Sequence, residues 1–269
     1  MTSAEVFAPA KINLTLHVTG QRPDGYHLLD SLVVFADIGD RLWFEPATRM
    51  ALTVTGPFAK GVPVDATNLV WQAAEATGRR CHIRLEKNLP HGAGLGGGSA
   101  DAAAVLRAFG APEHAARLGA DVPVCLSAEP QRMQGIGEVL SPVWPVPKWD
   151  MVLVNPGVGI ATLDVFKALE AKQNAEMGLL PAWRSKPEFL TWLGQQRNDL
   201  EPAARHLVPV IGVALEALGD ARLARMSGSG TTSFGLYDSR SKARAAARRI
   251  AATHPEWWVQ CAQSVGQDM

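Results

Sequence analysis

Cysteine is scarce in this chain: Cys81, Cys125 and Cys261 are all there are among 269 residues, and no two form a Cys-x-x-Cys pair. That spacing supports neither a disulfide framework nor a thiolate zinc site, and it fits a protein of the reducing cytosol. Neither sign of charge is in excess. Lysine plus arginine and aspartate plus glutamate both number 26, for a formal net charge of zero. A nucleic-acid binder ordinarily carries a basic excess or stripe. The longest basic run, near Arg244, reads as the wet face of a helix, so no nucleic-acid partner is expected. No apolar run approaches the ~18 residues that cross a bilayer. The opening "MTSAEVFAPAKIN" lacks the basic region and apolar core of a secretory signal. The expectation is a cytoplasmic protein with no membrane partner. Internal repeats are absent, and so is the Gly-Lys-Ser/Thr triplet of a P-loop.

What is present is an ordinary globular composition, 47% hydrophobic and 19% charged, long enough for one large domain or two modest ones. Residues 11–18, "KINLTLHV", alternate. Ile12, Leu14, Leu16 and Val18 point one way; Lys11, Asn13, Thr15 and His17 point the other. This predicts a half-buried strand with a polar face. Further strands are expected over 26–40, 41–45, 51–55 and 82–87, with helices over 68–77, from the following glycine loop to Phe109, and over 113–118. Pro142, Pro145 and Pro147 fall within six residues and mark a boundary. It separates a first domain, 1–147, from a second, 148–269. The second half reads as strands at 151–155, 222–226, 232–237 and 257–261, and helices at 163–171, 187–195, 207–218 and 241–252. Without strict βαβ alternation, the class is α+β in two parts.

The stretch "LPHGAGLGGGSADAAAVLRAF", residues 89–109, holds five glycines between Gly92 and Gly98 and runs into an alanine-rich helix. Glycine permits positive φ and close approach to the main chain. A helix N-terminus offers unpaired N–H groups and a partial positive charge. Together they make an anion site, most often for phosphate. A flexible linker is the plainer reading. The abutting helix, with Ser99 as its expected N-cap, favours phosphate. The dinucleotide pattern G-x-G-x-x-G is met by Gly92, Gly94 and Gly97. However, His82, Arg84 and Glu86 make the preceding strand half polar, and "NLPH" separates it from the first glycine. Asp121, the acidic candidate by spacing, follows a segment that reads as helix rather than strand.

Three segments coincide: "PAKINLTLHVTGQRPDGYH" near the start, "LPHGAGLGGGSADAAAVL" in the middle and "MSGSGTTSFGLY" near the end. This set resembles the GHMP small-molecule kinases. With "LGADVPVC", "QGIGEVL" and "NDLE", the chain from about Pro9 to Tyr237 looks like the branch acting on 4-diphosphocytidyl-2-C-methyl-D-erythritol in non-mevalonate isoprenoid synthesis. The resemblance implies the GHMP kinase fold: an N-terminal domain like the second domain of ribosomal protein S5, holding ATP and the catalytic pair, then a ferredoxin-like substrate domain. It implies ATP with Mg2+, no named protein ligand for the metal, and γ-phosphoryl transfer to the 2-hydroxyl. Pro90, His91, Gly92, Ala93, Gly94, Leu95, Gly96, Gly97, Gly98, Ser99 and Ala100 would line the triphosphate. Lys11 and Asp121 would be the catalytic pair. Asn13, Tyr26, His27, Thr162 and Phe166 would contact the cytidylyl substrate, with Tyr26 and Phe166 flanking the cytosine. The resemblance leaves oligomeric state open. The segment 110–118 is shorter than in many members.

Each of these residues also has a bland reading. A lysine on a strand's polar face is ordinarily solvated, and Asp121 fits a turn or a helix cap. Tyr26 fits a hairpin aromatic. Phe166 fits a core residue spaced with Leu163 and Leu169, "SGSG" a plain tight turn, and Asp101 a complement to the helix dipole. Competing functions are a homoserine or mevalonate kinase, whose substrates have no base to stack, a dinucleotide-dependent oxidoreductase, and a non-catalytic nucleotide sensor.

Overall fold

The computed structural model describes residues 5–268. In chain order the first elements are β1 (Val6–Asn13), β2 (His17–Gln21), β3 (His27–Pro46), β4 (Ala51–Thr55), α1 (Leu69–Ala76), β5 (Cys81–Glu86) and α2 (Gly97–Phe109). A 3-10 turn at Pro112–His114 precedes α3 (Ala115–Leu118) and α4 (Val124–Ser127), then β6 (Gln131–Gly135), β7 (Val139–Pro142) and β8 (Asp150–Asn155). The chain continues through α5 (Thr162–Lys167), α6 (Lys186–Gly194), α7 (Glu201–Leu207), α8 (Val210–Ala217), β9 (Leu223–Met226), β10 (Ser233–Tyr237), α9 (Arg240–Thr253) and β11 (Trp258–Gln263). Among the described residues no helix is long and apolar enough to cross a membrane.

Two compact units emerge, each assembled from separate chain segments. The first runs up to Lys11 and adds Ile38–His91 and Gly96–Ala128. Here β5 pairs antiparallel with the C-terminal part of β3, from Arg41↔Glu86 to Pro46↔Cys81, and parallel with β4. "CHIRLE" buries Cys81, Ile83 and Leu85 at period two, as a strand with one apolar face must. Asn68 caps α1, its side chain accepting from the Val70 N–H. The strands expected at 26–40 and 41–45 are one strand, β3. Within it, Gly39 lets β1 pass close by, because a Cβ there would overlap the carbonyl oxygen of Ala8.

The second unit comprises Ile12–Asp37, Gly92–Leu95 and the chain from Glu129 onward. Its antiparallel sheet has the order β11-β8-β10-β9, the strand order of a ferredoxin-like domain. One face carries α8 and α9; Ala214, the α8 C-cap Leu218, Ala243, Ala246 and Ile250 pack with Val152 and Val154. The N-terminal part of β3 pairs with β2 and with β6, which continues to β7. The β6–β7 pair is absent from the sequence expectations, because β7 is exposed or half-buried throughout and shows no apolar alternation. The helix expected at 207–218 is α8, which starts later, at Val210, and α7 ahead of it was not expected. Pro209 disfavours helical geometry at Val208, which ends α7.

One expectation is reversed. Residues 11–18 are not a strand with a wet polar face: β1 stops at Asn13, β2 starts at His17, and all eight residues are buried. Buried polar groups need partners.

Candidate active site

In the first unit, Lys11 ends its share of β1 with only 3% of its surface exposed. Its Nζ lies 2.6 Å from Asp121 Oδ1, and the Asp121 side chain is 43% exposed. So Lys11 is not the solvated lysine of the bland reading. Asp121 lies in the turn before α4, as that reading had it, and is also the partner of a buried cation. Burying an ammonium is costly unless it is paired. Here the pairing leaves the far side of the carboxylate open to solvent. The Lys11 stem packs on Gly96, where a Cβ would stand 3.1 Å from Lys11 Cε and φ is +63°. Close by in sequence, burial pushes the Cys125 thiol up to about 12, so it is no nucleophile.

Gly96 is also the N-cap of α2, left-handed and without a capping side chain. Ser99, the expected cap, is the third residue inside the helix. The first intrahelical bond runs from the Ala100 N–H to Gly96 O at 2.8 Å. The N–H groups of Gly97, Gly98 and Ser99 therefore precede the helical ladder, which is the arrangement that receives an anion. Asp101 does not serve the helix dipole from the first turn. It is buried, with Lys87 Nζ 2.7 Å from its Oδ2, and Lys87 also bonds Asp40. Asp40 in turn accepts from the N–H groups of Asn88 (2.5 Å) and Leu89 (2.9 Å). Burial pushes Asp101 up to about 8; Lys87 opposes the rise and Asp40 adds to it. Burial works to lower Lys87, but Asp101 and Asp40 outweigh it and its pKa is raised.

In the second unit, the other half of the glycine loop is locked to the "SGSG" turn. Gly94 has φ +71°, and a Cβ on it would overlap the carbonyl oxygen of Ser227. Ser227 Oγ donates to Gly94 O at 2.9 Å and accepts from the Asn13 N–H at 3.1 Å. Thr232 N–H donates to Ala93 O at 3.1 Å. The turn itself is held by Asn198, whose Nδ2 donates to Met226 O (2.8 Å) and Gly228 O (2.9 Å). "SGSG" is therefore not a plain turn.

The same unit places the expected substrate residues. His27 stacks on Phe166, ring centroids 4.7 Å apart and planes 20° apart. Burial, then the nearby Lys172, lowers the His27 pKa, which favours the neutral ring, and its Nε2 is buried without a partner. Phe166 packs on the margin of the core with Leu169, while Leu163 is 64% exposed. Thr162 Oγ1 is 2.9 Å from Ser229 Oγ, which ties the start of α5 to the small-residue turn. Asn13 is 1% exposed and bonds Ser31 Oγ. Tyr26 stands 60% exposed. Within the loop, Ala93, Leu95 and Ala100 are buried, while Pro90, His91, Gly92, Gly94, Gly96, Gly97, Gly98 and Ser99 are exposed or half-buried.

Sequence reasoning gave no role to Lys87, Asp40, Asn198 or Ser31. Asn198 stands in "NDLE" and Lys87 just ahead of the loop, but their partners are remote in sequence. The dinucleotide alternative fails on topology: β5, which leads toward the loop, is antiparallel to β3, whereas that fold needs a parallel sheet. Among the described residues no three His, Cys, Asp or Glu gather where they could hold a metal.

A mixed sheet, a glycine-opened helix and a ferredoxin-like domain define a class of small-molecule kinase. Residues 68–127 match the family model for the GHMP kinases N terminal domain, and residues 179–256 that for the GHMP kinases C terminal. A curated relative from Dinoroseobacter shibae, named 4-diphosphocytidyl-2-C-methyl-D-erythritol kinase, is 54% identical over 264 residues, covering 94% of this chain and 92% of its own. One of the same name from Paramagnetospirillum magneticum is 50% identical over 283 residues, covering 98% and 99%. A crystal structure of 4-(cytidine 5'-diphospho)-2C-methyl-D-erythritol kinase matches with a TM-score of 0.79 at 32% identity, covering 98% of this chain and all of that one. The chain belongs to the GHMP kinases and, within them, to the 4-diphosphocytidyl-2-C-methyl-D-erythritol kinase family.

Proposed function

We propose that this chain is a cytoplasmic enzyme that transfers the γ-phosphoryl group of ATP to the 2-hydroxyl of 4-diphosphocytidyl-2-C-methyl-D-erythritol, in the non-mevalonate route to isoprenoid precursors. The observation that carries the catalytic part is the pair of buried Lys11 and half-exposed Asp121, 2.6 Å apart. Phosphoryl transfer asks a protein mainly to position groups and neutralise charge. Asp121 takes the hydroxyl proton as the new P–O bond forms and ADP leaves. Lys11 keeps Asp121 ionised and meets the charge on the acceptor oxygen.

Residues Pro90–Ala100 hold the triphosphate, chiefly through the N–H groups of Gly97–Ser99. Mg2+ would be held mainly by the phosphates, as is usual for this ion, with the Ser99 hydroxyl as a candidate protein contact. When bound, it supplies charge neutralisation. Phe166 and Tyr26 flank the cytosine, and the free Nε2 of neutral His27 bonds its edge. Asn13 and Thr162 hold the rest of the substrate. On this reading residues 1–147 serve ATP and the catalytic pair, and 148–269 complete the substrate site.

The test is an ATP-consumption assay with the cytidylyl compound, mevalonate and homoserine in parallel. Turnover with the cytidylyl compound alone is expected. Turnover with mevalonate or homoserine instead would move the chain to another GHMP kinase activity, and ATP binding without turnover would make it a sensor.

A further inference from the structure

Asn13 has a side-chain amide whose two ends look alike in shape and differ in chemistry, so the network around it decides which end faces a ligand. That network lies within the second unit and has one solution. Ser31 Oγ lies 2.5 Å from Thr15 O. A carbonyl oxygen only accepts, so the single hydroxyl proton of Ser31 is committed to it. Thr15 is immobile in turn: its Oγ1 accepts from the Leu32 N–H at 2.7 Å and donates to Met177 Sδ at 2.9 Å. Ser31 Oγ is thereby left as an acceptor, and Asn13 Nδ2 donates to it at 2.8 Å. The Asn13 N–H is fastened as well, on Ser227 Oγ at 3.1 Å. Asn13 Oδ1 must then face away from Ser31, and it is buried with no hydrogen-bond partner. Gly228 stands beside it. A Cβ on Gly228 would sit 3.5 Å from Oδ1, and the left-handed φ of +57° there favours glycine.

We propose that Ser31 is a positioning residue that locks the Asn13 amide with its oxygen toward the substrate, so that the acceptor molecule must present a hydrogen-bond donor, a hydroxyl, at that point. This rests on the reading of Asn13 as a substrate residue. A ligand offering a carbonyl or ether oxygen there would meet an acceptor with an acceptor and leave both unpaired, which is the strong form of discrimination available to a buried polar group. The selectivity for a polyol is thus set one residue behind the contact.

The experiment measures KM for the cytidylyl substrate and for ATP in Ser31→Ala, Asn13→Ala, the double variant and Ser31→Thr. Ser31→Ala is expected to raise the substrate KM roughly tenfold, the upper range for one hydrogen bond, and to leave the ATP KM unchanged. Ser31→Thr, which keeps the hydroxyl, restores most of the loss. In the Asn13→Ala background the Ser31 change adds almost nothing, because its effect passes through Asn13. A parent-like substrate KM in Ser31→Ala would overturn the proposal, as would an equal loss from Ser31→Ala with and without Asn13. Asn13→Ala with a parent-like KM would overturn the reading of Asn13 itself, and this proposal with it.

Discussion

Lys11 packs against the N-cap of the glycine-opened helix and Asp101 lies within that helix; both are buried ionisable residues, and they differ in what their partners leave free. Lys11 meets a carboxylate that remains 43% exposed; Asp101 is enclosed with Lys87 and Asp40. Replacing Lys11 by Met keeps the stem against Gly96 and removes the charge. We expect Lys11→Met to lower kcat strongly, and the double variant Lys11→Met/Asp121→Asn to be little worse than either single one, since groups acting as a unit do not contribute independently. Steady-state kinetics of the three variants decide this, and multiplicative losses would separate the pair.

Asp101 makes a prediction of opposite kind. Its folded pKa is about 8 against an ordinary 3.8. The native state therefore holds a proton that the unfolded chain releases across that window. Stability contributed by this group falls as pH rises from about 4 to about 8. Thermal melts of Asp101→Asn should show a flatter pH dependence over that range than the parent, and an unchanged slope would reject the assignment. At the substrate end, Phe166→Ala should raise the KM for the cytidylyl compound with the ATP KM nearly constant. A stacked base is worth roughly 1–3 kcal/mol, and equal losses for both substrates would mean a damaged fold.

At the scale of elements, the start of α2 shows why five glycines are not one feature. Gly94 permits contact with the Ser227 carbonyl, and Gly96 takes the left-handed cap against the Lys11 stem. Gly97 and Gly98 need no positive φ, and a Cβ on Gly98 would meet only Leu69 Cδ1, at 3.9 Å. The two ends of the run should therefore respond oppositely to alanine. Gly96→Ala should lower Tm and kcat together, through a left-handed penalty of roughly 1–2 kcal/mol and pressure on Lys11. Gly98→Ala should melt no lower than the parent, since alanine favours helix by about 1 kcal/mol over glycine, yet raise the ATP KM by crowding the anion position. A Gly98→Ala variant with a parent-like ATP KM would remove the phosphate from this helix end. The sequence marked the loop and its chemistry, but identical letters could not reveal which glycine does what. The preference of serine for caps likewise pointed to Ser99, while the chain begins its helix on Gly96.

Across the whole molecule, legibility followed the range of the interaction. Cys81–Glu86, a strand with one apolar face, was readable from alternation, Asp150–Asn155 from its apolar run, and α1 from its periodicity. The β6–β7 pair has little apolar signal to read. The polar side of residues 11–18 looked wet, because nothing local announces that Asn13 is fastened to Ser227, 214 positions away, or that Asn198 binds the "SGSG" turn. Those long-range pairings bury a strand's polar face, and resemblance, not periodicity, named the candidate site residues on it. The most direct check on that account is kcat for Asp121→Asn with ATP and the cytidylyl substrate. Asparagine keeps the size and removes the base. The account predicts a fall of ~10²–10⁴-fold, the usual range for a general base, with both affinities within a few-fold of the parent. A folded Asp121→Asn enzyme that keeps more than about a tenth of the parent kcat, a loss smaller than the least effect expected of a base, would contradict it.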